Sequence, residues 1–121
     1  MDIPTDIIAR FEAAIRTFYE SEERRLNAKK IPDSVRDEYM LNIRKVCDNV
    51  KTIGENVKDM IAHCRDYEQF LRIAETMEHP RCAVLQERCE EVNKRTLSRV
   101  ADLMAMIVQM EAGKFPNGIA E

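Results

Sequence analysis

Tryptophan is missing from this chain, and glycine is scarce, with three residues among 121. Four prolines, four phenylalanines and three tyrosines complete a short supply of turn formers and rings. A protein of many short strands needs a turn signal every ten or so residues, so an all-β fold is excluded. No run of about twenty apolar residues occurs, which excludes a membrane-spanning helix. Neither sign of charge dominates: 19 basic residues stand against 22 acidic ones, a net charge of −3. No global field therefore draws the chain toward nucleic acid or an anionic membrane. Met1-Asp2-Ile3-Pro4 lacks the basic-then-apolar order of a secretory signal. The expected setting is the cytoplasm, or a nucleus, where the four cysteines would remain thiols.

What is abundant is charge and helix-compatible apolar residues, 34% and 45% of the chain, the profile of a helical or coiled-coil protein. The strongest pattern is a heptad seam. Ile43, Val46, Val50, Ile53, Val57, Met60, Cys64, Tyr67, Leu71 and Ala74 recur at alternating spacings of four and three, all non-polar. Those are the a and d positions of a helix that packs along its whole length. The helix is expected over 34–78, about 45 residues and roughly 67 Å long at 1.5 Å per residue. Ser34 and Asp37 have the spacing of a capping box at its start.

Before it, Ile8, Phe11, Ile15 and Phe18, with Leu26 beyond, mark a first helix over about 5–28, ended by Ile31-Pro32. After it, His79-Pro80 makes a turn. A third helix over about 81–112 carries Cys82, Leu85, Cys89 and Val92, then Val100, Met104 and Ile107 after a change of phase near Thr96. Gly113 suits the position just past a helix end. The tail 113–121, with Phe115, Pro116, Asn117 and Gly118, is expected to be irregular. The fold class is all-α: a single elongated domain of three helices with a long central one.

The columns beside the seam say how the central helix is covered. With Ile43 at a, the e column is Met40, Cys47, Gly54, Ile61 and Glu68, and the g column is Asn42, Asn49, Asn56, His63 and Phe70. A two-stranded coiled coil places Glu and Lys at e and g. Here both columns are almost uncharged, which suits a helix with two neighbours in a bundle. Gly54 would let one neighbour approach closely. Helix lengths give a three-helix overlap near residues 47–57 and a bare two-helix hairpin toward residue 79, with Phe70 and Ile73 off its seam. Such a hairpin leaves apolar surface uncovered, so a homodimer packed as a four-helix bundle is expected, with the Ile43–Leu71 seam as its self-association surface.

Three polar features are candidate sites. His63, Cys64, His79, Cys82 and Cys89 are metal-ligating residue types, but no C-x-x-C pair occurs, and His79 with Cys82 makes a single H-x-x-C. No Glu-x-x-His pair of a di-iron bundle is present. The thiols are read as small seam hydrophobes, and no metal or cofactor is expected. Asn42, Asn49 and Asn56 form a ladder that could set register against a neighbouring helix. Arg44, Lys51, Lys58, Arg65 and Arg72 fill the b column, a basic line with roughly 10 Å between members. It would fit an acidic partner, or be balanced locally by Asp48, Glu55, Asp59 and Asp66 and by Glu20, Glu22 and Glu23 of the first helix. No rings interleave with it, so nucleic-acid binding by base stacking is not expected.

No acid, base and nucleophile converge in this pattern. The expected function is non-enzymatic: a self-associating helical scaffold that meets other proteins. The alternative is a small regulatory binding protein that uses the basic face for an acidic ligand: nucleic acid, an anionic lipid or an acidic protein helix.

Overall fold

The computed structural model describes residues 3–116, and these form three α-helices: α1 Ile7–Asn27, α2 Asp33–Thr76 and α3 Cys82–Glu111. No strand occurs among the described residues. The helix ends fall within two residues of the sequence expectation. Each helix packs against both others. α2 is 44 residues long, roughly 66 Å at the α-helical rise.

The start of α2 differs from the expected capping box. Pro32 is the N-cap, with ψ at 142°, and its carbonyl accepts from the backbone of both Val35 and Arg36 at 3.1 Å. Ser34 therefore lies inside the first turn, and no side chain caps the end. Asp33 holds Arg36 at 3.0 Å instead, a carboxylate at the positive end of the helix dipole.

The hairpin turn between α2 and α3 is closed by backbone. His79 N–H donates to Ala74 carbonyl at 2.9 Å, and Glu78 N–H donates to Glu75 carbonyl at 3.1 Å. This is the paired hydrogen bonding of a Schellman cap, which needs a left-handed residue past the helix end. Glu78 supplies it at φ 50°, a conformation that crowds a Cβ. His79 Nδ1 accepts from Arg81 N–H at 3.1 Å, so the turn occupies that nitrogen. Glu78→Gly should stabilise the protein by about 1 kcal/mol, seen as a higher thermal midpoint, because glycine adopts this φ freely; a lower midpoint would mean that the Glu78 side chain contributes. The same cap recurs after α3, where Gly113 has φ 73° and Lys114 N–H reaches Gln109 carbonyl at 2.9 Å. There the sequence already places glycine.

The core joins Ile7, Phe11, Ala14 and Phe18 of α1 to Ile43, Cys47, Val50, Val57 and Ile61 of α2 and to Val100, Leu103, Met106, Ile107 and Met110 of α3. The three-helix overlap thus runs over 43–61, wider than the expected 47–57. Ile3 packs against the core ahead of α1, lengthening the cover at one end. At the other end residues 114–116 form no regular element, yet Phe115 meets Phe18 edge-on at 5.2 Å between ring centres, and Pro116 is fully buried. Asn117 and Gly118 lie outside the described residues.

α1 buries Ile7 and Ala14 where Ile8 and Ile15 were expected, and those two are half-buried. Its buried face also includes Glu22, whose carboxylate accepts from Arg25 Nε at 2.8 Å. Arg25 in turn donates to Tyr39 Oη at 2.8 Å. Glu22 is therefore engaged within its own turn and does not balance the basic line. Arg10 and Glu111 tie α1 to α3 at 2.8 Å on the surface, and the guanidinium holds the Glu111 carboxyl below its ordinary pKa.

Candidate assembly face

The part of the molecule left uncovered is the hairpin arm beyond Ile61. α1 ends its cover there, and α2 and α3 continue as a pair to the turn at residue 79. The arm's own seam is thin. It buries Cys64, Ala74, Cys89 and Thr96, all small side chains. Thr96 is fully buried, donates to Val92 carbonyl at 2.8 Å, and lies 3.0 Å from Cys64 Sγ. The expected change of phase at Thr96 is absent. The α3 seam runs from Cys89 through Thr96 to Val100 and Leu103 without a break, because the threonine hydroxyl is satisfied by its own helix.

Apolar side chains that this thin seam cannot enclose face outward. Phe70 is 58% exposed, Ile73 53%, Met77 68% and Val84 63%. Phe70, Ile73 and Met77 fall at i, i+3 and i+7, one stripe of α2. Val84 is reached across Tyr67 and Leu85, which line adjoining clefts with Phe70 on one side and Val84 on the other.

The stripe continues as a groove between α2 and α3. One cleft of about 380 Å³ is lined by Ile53, Asn56 and Met60 of α2 and Arg99, Asp102 and Ala105 of α3. A second of about 220 Å³ adds His63, Tyr67, Arg88, Glu91 and Arg95. Together they extend from Ile53 to Tyr67, roughly 21 Å along α2. The groove lies on the g side of α2. On the e side α1 closes the seam, where a Cβ added to Gly54 would stand 2.7 Å from the Phe11 ring. The close approach expected at Gly54 is therefore made, by α1.

The seam residues divide accordingly. Ile43, Val50, Val57, Cys64 and Ala74 are buried within the chain, and Val46, Ile53, Met60, Tyr67 and Leu71 are half-covered. Between Ile43 and Cys64 the a positions are already spent on α1 and α3, so only the d edge there can meet anything else. Asn42, Asn49 and Asn56 are all exposed, and none bonds to α1 or α3 among the described residues. Any register they set is against another chain. The basic line is exposed along its length. Arg44 donates to Tyr19 Oη at 3.4 Å. Lys51, Lys58, Arg65 and Arg72 make no ion pair within 4 Å among the described residues, so the local balancing expected from Glu55, Asp59 and Asp66 is not made at contact distance.

The polar groups of the groove are largely engaged with one another. Glu91 holds Arg95 at 3.0 Å and Arg88 at 3.6 Å, and Asp102 lies 3.9 Å from Arg99. Burial pushes the thiols of Cys47 and Cys89 up, with Asp48 beside the first and Glu68 beside the second adding to the push. That favours the protonated form over the thiolate needed for nucleophilic attack or metal binding. No group of three or more His, Cys, Asp or Glu side chains suited to a metal occurs among the described residues, and no helix there is long and apolar enough to cross a membrane. No protein-family model, curated protein or solved structure matches the chain.

Proposed function

We propose that this chain is a non-enzymatic helical assembly module that associates with itself and scaffolds other proteins through its hairpin arm. The observation that carries this reading is the arm's tip, where four large apolar side chains are each more than half exposed. They form an apolar patch of roughly a few hundred Å², the size of the largest patch on a typical monomer, which is often a functional one. A rigid three-helix base with a two-helix arm is suited to presenting such a surface at a distance from the core. Light scattering over a concentration series tests the reading. A mass of two chains is expected, and a mass of one chain throughout would overturn it.

A further inference from the structure

The contiguous apolar core stops short of the arm. On α2 its last member is Ile61, and on α3 its first is Val100. The half-buried side chains packed against it, from Ile3 to Met104, include none from the arm either. Cys64, Ala74 and Cys89 are buried, but outside that core.

Between the core and the rest of the arm lies a polar layer. The Cys64 thiol donates to Thr96 Oγ1 at 3.0 Å, and the Thr96 hydroxyl donates to Val92 carbonyl at 2.8 Å. One turn along, Asn93 has a buried amide oxygen without a partner. That oxygen disfavours the closed form, because water would satisfy it when the helices part. On the base side of the layer three helices share large side chains such as Phe11, Leu103 and Ile107. On the arm side two helices share small ones.

We infer that the layer at Cys64, Asn93 and Thr96 divides the chain into two cooperative units, and that the arm over 64–96 opens and closes while the base stays folded. Single domains of this size ordinarily unfold all at once. A shared core carries that cooperativity, and here the core is not shared across the layer. What joins the two sides is the backbone of α2 and α3, which cross the layer as continuous helices. Helical segments of about fifteen residues are marginal in water without packing, so the closed arm depends on its thin seam. Few buried apolar contacts are what mark a unit that opens at low cost. The division stands on the single chain. Its consequence rests on the assembly proposed above: whatever prefers the closed arm draws it shut by that preference, so occupancy of the tip and order of the arm are one equilibrium.

Native-state amide exchange tests the division, on the unaltered chain and on Cys89→Gly, which removes a buried arm side chain and sets a glycine in mid-helix. Exchange over the arm should speed up about tenfold or more in the variant, while 43–61 and 100–110 keep the rates of the unaltered chain. Should the variant's arm melt outright, those base segments still hold their protection. Acceleration of arm and base by one common factor, or loss of the whole fold, overturns the inference. A second variant closes the divide. Thr96→Val with Asn93→Leu makes the layer apolar, and exchange over the arm should slow toward that of the base. An unchanged arm would mean that the units do not divide there. The mass by light scattering, measured alongside, answers for the assembly reading. A one-chain mass removes that reading and leaves the exchange comparison intact, whereas a common factor in a chain that still dimerises removes only the division.

Discussion

Replacing Phe11 by alanine should cost about 3–5 kcal/mol of folding stability. Phe11 is among the largest fully buried side chains, 1% exposed, and its ring lies against Gly54 of α2. The space it fills is bounded on one side by the Gly54 backbone, which has no side chain to swing inward. Collapse around the vacancy would therefore require whole helices to move, and packed helices resist that. Against a total of about 5–15 kcal/mol for an ordinary domain, this loss would leave the protein marginal. Urea unfolding measures it, and a loss below about 1 kcal/mol would mean that α1 does not hold this position.

A double-mutant cycle with Gly54 makes the same contact visible from the other side. In the unaltered chain Gly54→Ala sets a Cβ 2.7 Å from two carbons of the Phe11 ring. Overpacking of this kind costs about 1–3 kcal/mol, and the helix-propensity gain of about 1 kcal/mol does not offset it. With Phe11→Ala in place the obstruction is gone, and Gly54→Ala should stabilise by about the propensity gain alone. The sign reversal is the signature of direct contact. Additive effects would refute it.

Gly54 also marks how far the sequence could be read. A glycine beside an otherwise regular α2 seam pointed to a close neighbour, and Phe11 is that neighbour. The seam was equally plain, since every a and d position from Ile43 to Ala74 is apolar. Which flank would be left open was not legible. The e and g columns are alike in charge, and only the path of the chain through Ile31-Pro32 sets α1 on one side. Thr96 and Glu22 were hidden for another reason. Hydropathy counts a hydroxyl or a carboxylate as surface, whereas Thr96 satisfies itself on Val92 carbonyl and Glu22 on Arg25. The register of α1 was ambiguous because Ile7 and Ile8 are both apolar and adjacent, so a rotation of one residue changes no periodicity. Local sequence places Phe115 and Pro116 in a loose tail, whereas Phe115 meets Phe18, about a hundred residues away in sequence, and Pro116 is buried.

The candidate assembly face was half legible. Helix lengths alone showed that α1 could not reach the hairpin end, and Phe70 and Ile73 stood off the seam. The α3 wall of the groove was not, because Arg88, Arg95 and Arg99 alternate with Glu91 and Asp102 and no column there has one sign. The clefts exist only where α3 is laid beside α2.

The substitution Phe70→Glu with Ile73→Glu should convert the protein to a mass of one chain and loosen the arm without unfolding the base. Both side chains are more than half exposed in the single chain, so the folded monomer tolerates the charges. Buried against a second copy, each carboxylate would lose its water without a partner, a loss of several kcal/mol per site. The arm should respond more than the base. Apart from its neighbour it is two helical segments of about fifteen residues, a length that is marginal without packing. Its seam of Cys64, Ala74, Cys89 and Thr96 encloses little apolar volume, and Asn93 in the same stretch has a buried amide oxygen without a partner. Amide exchange over 62–96 should therefore accelerate in the variant while the segments 43–61 and 100–110 keep their protection. An unchanged mass would move the interface away from the tip. A fall in mass with no change in exchange would mean that the arm is rigid by itself, and that self-association uses this surface without being needed to build it.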